Sequence, residues 1–136
     1  MPKLFTFVDS GVLITAARGQ DAILKARATQ VLFDPQREYA SSVFVRLEVL
    51  PKAIWAVNQT EQKVYETFFK SVQHWPADTD AVIARAQIEA NTFGLGGMDA
   101  LHVAAAVLLK ADELITIEKL TKSIHRTRSI KVVTLR

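Results

Sequence analysis

A chain of 136 residues, 49% hydrophobic and 23% charged, is long enough for one compact domain and apolar enough to fill a core, which excludes an intrinsically disordered chain. It contains no cysteine, so disulfides, thiolate metal sites and a cysteine nucleophile are excluded. The formal net charge of +3 is unevenly placed: no acidic residue follows Glu118, whereas Lys119, Lys122, His125, Arg126, Arg128, Lys131 and Arg136 do, a segment that either attracts phosphates or is simply a solvated basic surface.

In chain order, Leu4 to Val8 is a short apolar run that ends at Asp9 and reads as a buried strand. Its flanks lack the pattern of a signal peptide, and no apolar run reaches the ~18 residues that cross a bilayer, so no membrane association and a cytoplasmic location are expected. A short helix follows over 12–17, and a second over 20–33, with Ala22, Ile23, Ala26 and Phe33 near one face, closed by Asp34-Pro35. Residues 38–42 form a second strand. Ser42 then caps a helix in which Val43, Leu47, Leu50, Ile54 and Val57 recur at helical spacing and are expected to be buried, with Pro51 kinking it.

A helix over 61–72 turns Val64, Tyr65, Phe68 and Phe69 inward, and His74-Trp75 belong to a short third strand. The next helix, capped by Asp78, buries Val82, Ile83, Ala86, Ala90 and Phe93. Gly94, Gly96 and Gly97 punctuate the chain before a segment that is apolar from Ala100 to Leu109 except at His102, the pattern of a central, covered helix. A fourth strand (113–117), a short helix (119–125) and a last strand (130–135) complete an alternation that predicts an α/β fold with a parallel sheet and helices on both faces.

In such sheets ligands bind beyond the carboxyl ends of the strands. Asp9 ends the first strand, Glu118 follows the fourth, Asp99 opens the buried helix and Glu48 lies two turns into the helix after the second strand, so topology brings all four to one rim. The plainer readings are a turn aspartate for Asp9, a first-turn charge for Asp99 and a solvated glutamate for Glu48. Gathered together, the acids would repel one another, and a divalent cation would offset that repulsion while activating water at a phosphate. The three histidines, His74, His102 and His125, have no paired spacing, which argues against zinc. Carboxylates favour hard ions.

The stretches FVDSGVLITAA (7–17), SSVFVRLEVL (41–50) and GGMDALHVAAAVLLKADELITIEKL (96–120) resemble the PIN-domain family, in the branch that includes VapC-like toxins of toxin–antitoxin pairs. The resemblance spans nearly the whole chain. It implies one nuclease domain over 1–136, a three-layer α/β/α sandwich with strand order 3-2-1-4-5, and Mg²⁺- or Mn²⁺-dependent hydrolysis of RNA. It places the catalytic and metal-binding acids at Asp9, Glu48 and Asp99, with Glu118 in a variable fourth place where the family more often has Asp. An RNA substrate, an antitoxin partner and a homodimer are implied with it.

The chain departs from the family at Gly11, where the family often has Asn. Ser10 either supplies a hydroxyl to the site or caps the following helix. His102 either touches substrate or is a packed, hydrogen-bonded histidine, Arg46 is structural or binds phosphate, and Trp55 and Trp75 are core or interface aromatics. The competing readings are a catalytically weak PIN-fold module that binds RNA or protein, or an RNA-processing nuclease outside any toxin pair. A phosphoacceptor receiver needs an acidic pair at the first strand, and a haloacid-dehalogenase-type phosphatase needs D-x-D there. Ser10 and Gly11 fit neither.

Overall fold

The computed structural model describes residues 2–136. Its strands are β1 (Leu4–Val8), β2 (Arg37–Ala40), β3 (Glu113–Thr116) and β4 (Lys131–Thr134), and its helices α1 (Ser10–Arg18), α2 (Ala22–Leu32), α3 (Val43–Trp55), α4 (Gln59–Ser71), α5 (Thr79–Phe93) and α6 (Gly97–Leu108). The residues expected to form a helix over 119–125 instead make one 3-10 turn, Ser123–Arg126.

The strands form one all-parallel sheet in the order β2-β1-β3-β4. The expected sheet had five strands in the order 3-2-1-4-5. The third is a single parallel bridge between Ala40 and His74, outside β2, so the order survives but the strand does not. Two residues on, Pro76 has no N–H to continue the ladder. At the opposite end of the sheet from the acids, Arg37 Nη1 donates to Thr6 Oγ1 and Glu113 Oε2, both at 2.7 Å, tying the starts of β2 and β3 to the middle of β1.

Helices pack as two groups, α1 with α2, α3 and α4, and α5 with α6, joined where α3 meets α6. The central helix is α6: Ala100 and every residue from His102 to Ala106 are buried, as its apolar run requires. In α4 the inward face is Tyr65, Phe68 and Phe69, as expected.

Three other helices turn differently from the expectation. In α3 the buried stripe is Val45, Val49, Leu50 and Ala53, whereas Val43, Leu47 and Ile54 are 57%, 66% and 54% exposed. Both sides of α3 are apolar, so periodicity alone cannot choose the face. Pro51 lies inside α3 without ending it. In α2, Leu24, Ala28 and Val31 face inward, while Ile23 and Phe33 are exposed. In α5 the inward positions are Val82, Ala86 and, unexpectedly, Glu89, while Ile83 is exposed.

Candidate metal centre

The four acids do gather where the carboxyl ends of β1 and β3 meet the first turns of α1 and α6. Asp9 continues β1 by one residue, its N–H donating to Ile115 O, and its side chain caps α1 by accepting from Ser10 N at 3.0 Å. Asp9, and not Ser10, is therefore the cap. The other Asp9 oxygen accepts from the Thr116 hydroxyl at 2.8 Å, and the same hydroxyl oxygen accepts from Glu118 N at 3.1 Å. Thr116, fully buried at the end of β3, thus orients Asp9 and fixes the backbone from which Glu118 springs. It lies inside the quoted stretch 96–120, and its polarity at a strand end was the signal that could have singled it out.

Asp99 lies in the first turn of α6, whose cap is Gly96, which has no side chain to contribute. Burial raises the Asp99 carboxyl above the ordinary range, the charges of Asp9, Glu118 and Glu48 add to that, and only the charge of His102 opposes them. No hydrogen bond figures among these causes. Burial also raises Asp9, 5% exposed, against the lowering effects of His102, Thr116 and Ser10, with Glu48 raising it further. The hydrogen bond from His102 holds Glu48 below the ordinary range, with smaller help from the His102 charge, the Ser10 hydroxyl and Lys52, against burial. Asp99 therefore feels each of the other three predicted acids electrostatically, and Asp9 feels Glu48.

Charge converges here more than coordination does. As the side chains stand, no three His, Asp or Glu among the described residues are close enough to share one ion. Glu48 is drawn to His102, 2.5 Å from Nε2, and His102 Nε2 is 3.8 Å from Asp9 Oδ1. The donor set nevertheless fits a hard divalent cation. It is all carboxylate, and two of its members are pushed toward the neutral form by burial and like charge, an unfavourable term that a cation removes.

Gly11 also has a structural account. A Cβ there would lie 2.9 Å from Ile117 Cγ1 and 3.2 Å from its Cδ1, so Ile117 fills the space a side chain would take. His102 is buried and hydrogen-bonded, so it is not a substrate contact. Arg46 stands 5.6 Å over the Phe69 ring, and Trp75 packs on Phe69 with ring centroids 5.9 Å apart. Trp55 is 88% exposed and no part of the core. Of the basic tail, Arg136 Nε donates to Ile117 O and Arg126 Nη1 to Gly94 O, while Lys119, Lys122 and Arg128 are exposed. Away from the acids, an apolar trough of about 680 Å³ runs between α3 and α4, lined by Val43, Leu47, Leu50, Pro51, Ile54 and Phe69 with Arg46, Glu66 and Lys70 at its edges. No helix among the described residues is long and apolar enough to cross a membrane.

No family model and no curated protein matches the chain. Solved structures do. A chain of VapBC2 from Rickettsia felis, bound to a DNA fragment from its promoter, superposes with a TM-score of 0.71 at 14% identity, covering 98% of this chain and 100% of that one. A chain of a toxin–antitoxin complex from Klebsiella pneumoniae gives 0.72 at 22% identity, covering 95% and 96%. A chain of FitAcB from Neisseria gonorrhoeae gives 0.61 at 17% identity, covering 93% and 95%. The chain has the fold of these proteins, end to end.

Proposed function

We propose that the chain is a metal-dependent endoribonuclease, one PIN-type domain over 1–136, acting as the toxin of a VapBC-like pair in the cytoplasm. The observation that carries this reading is the meeting of Asp9, Glu48, Asp99 and Glu118 at the carboxyl end of the sheet, two of them ionisable at a cost that a divalent cation would offset.

Asp9, Glu48 and Asp99 would hold Mg²⁺ or Mn²⁺, with Glu118 at the edge. Bound there, the ion would stabilise charge on the scissile phosphate and lower the pKa of the attacking water. The reaction is hydrolysis: water adds to phosphorus, the ester P–O bond breaks, and the leaving oxygen takes up a proton. Thr116 and Ser10 N–H keep Asp9 aimed throughout. The unpaired lysines beyond Glu118 would meet neighbouring phosphates.

The fold neighbours were solved as toxin–antitoxin complexes, and the trough between α3 and α4 suits an apolar helix with acidic flanks that meet Arg46 and Lys70. We assign the antitoxin to that trough and expect the chain alone to be a homodimer, which analytical ultracentrifugation would check. Leu47→Asp should abolish co-purification with the protein encoded beside this one and leave RNA cleavage unchanged.

Cleavage of single-stranded RNA should require Mn²⁺ or Mg²⁺ and fall at least about 100-fold in Asp99→Asn. Equal cleavage by chelator-treated and metal-loaded protein overturns the proposal. A second reading, a catalytically weak module, draws on the fact that no three acids among the described residues stand close enough to share an ion. RNA binding without turnover at saturating Mn²⁺ would establish it.

A further inference from the structure

Asp9 has two donors that fix its carboxylate, whereas Glu48 has a long side chain, 32% exposed, and a single strong partner. That partner is His102, one turn beyond Asp99 on α6 and 1% exposed. Its ring tilts against Phe7 at 6.2 Å and sits beneath the acids, with Nε2 toward Glu48 and Asp9.

The other ring nitrogen decides the tautomer. Nδ1 is buried and has no hydrogen-bond partner. A buried N–H without an acceptor is more costly than a buried lone pair without a donor, because donors are almost always satisfied. Nε2, the nitrogen that faces two acceptors, therefore carries a proton whatever the charge of the ring. Packing alone does not explain a histidine here, since an aliphatic side chain would fill the space and leave no polar atom stranded.

Resting on the metal-centre reading above, we propose that His102 is a positioning residue: its Nε2–H holds one oxygen of Glu48 and so keeps that side chain at the acid cluster for the cation. His102 does for Glu48 what Thr116 does for Asp9. It touches neither substrate nor ion. Outer hydrogen bonds of this kind are worth about 10- to 100-fold in metal affinity.

The test is Mn²⁺ binding to RNA-free protein, measured by titration calorimetry. His102→Leu fills the space without a donor and should weaken binding about 10- to 100-fold. His102→Gln keeps an N–H donor and should stay near wild type. In a Glu48→Ala background, His102→Leu should cause no further loss. Equal affinity in H102L and wild type, equal loss in H102L and H102Q, or an undiminished loss in the E48A background overturns the proposal. A mutation-free check is the long-range ¹⁵N–¹H spectrum of wild type, which should show the His102 proton on Nε2 before and after Mg²⁺. A proton on Nδ1 alone overturns the assignment. Wild type that binds no Mn²⁺ overturns the metal-centre reading itself, a result distinct from binding that ignores His102.

Discussion

Two carboxylates of the α5–α6 pair, Glu89 buried and Asp99 half-buried, have opposite surroundings. Glu89, on α5, has a side chain 1% exposed. It accepts from Ser129 Oγ at 2.7 Å, Thr127 Oγ1 at 2.8 Å and Arg85 Nη2 at 3.0 Å. Burial pushes it up, but Ser129, Thr127 and Arg85 together overcome that and leave it below the ordinary range. Asp99, on α6, has burial and three like charges against it and only His102 in its favour. Glu89 is complete within the chain and clamps the segment leading into β4. Asp99 is incomplete, and a half-buried charge among like charges is the mark of a site awaiting something.

The largest effect that would break this contrast lies at Glu89. Glu89→Ala strands three donors and should cost about 3 kcal/mol in urea unfolding at pH 7. A loss under about 1 kcal/mol would make Glu89 no more structural than a surface residue. Next, Mn²⁺ at about 100 times its dissociation constant should stabilise wild type by about 2.7 kcal/mol and leave Asp99→Asn nearly unchanged, read as the shift in melting temperature. Smaller still, Asp99→Asn in chelator should be stabilising, by about 1 kcal/mol or about 3 °C, since it removes a charge that only a cation would relieve. A lower melting temperature would show Asp99 to be a structural partner like Glu89.

Acid titration sharpens the contrast by sign. The folded Glu89 pKa lies below the ordinary value of 4.5, so its stabilisation is present above that pH and fades as pH falls through the folded value. The folded Asp99 pKa lies above 3.8, so stability falls as pH rises from there through the folded value. Metal-free unfolding from pH 3 to 7 should therefore lose its acid-side decline in Glu89→Gln and show less neutral-side loss in Asp99→Asn.

Sequence pattern carried much of this. A strand ending at Asp9, a helix with one polar interruption after Asp99, and a strand running into Glu118 are readable because each acid breaks an apolar run where an element starts or stops. The parallel sheet followed from the alternation of elements, and its strand order from the family resemblance. What failed was orientation. With apolar residues on both sides of α3, the stripe of Val43, Leu47 and Ile54 fits a helical period as well as the buried stripe of Val45, Val49 and Ala53 does. Of Glu89's partners only Arg85, four positions before it, is local; Thr127 and Ser129 lie 38 and 40 positions away, and the link from His102 to Glu48 spans 54. Hydrogen bonds between side chains so distant leave no local period.

The fit of Gly11 against Ile117 makes these two positions a single unit of variation. A polar side chain at 11 is blocked while Ile117 stands as it does, and trimming Ile117 alone would leave an unfilled gap beside the acids. Each single step is unfavourable and the pair together is not. The two sites should therefore show strong sign epistasis: Gly11→Asn harmful in the natural background and tolerated once Ile117→Ala has made room.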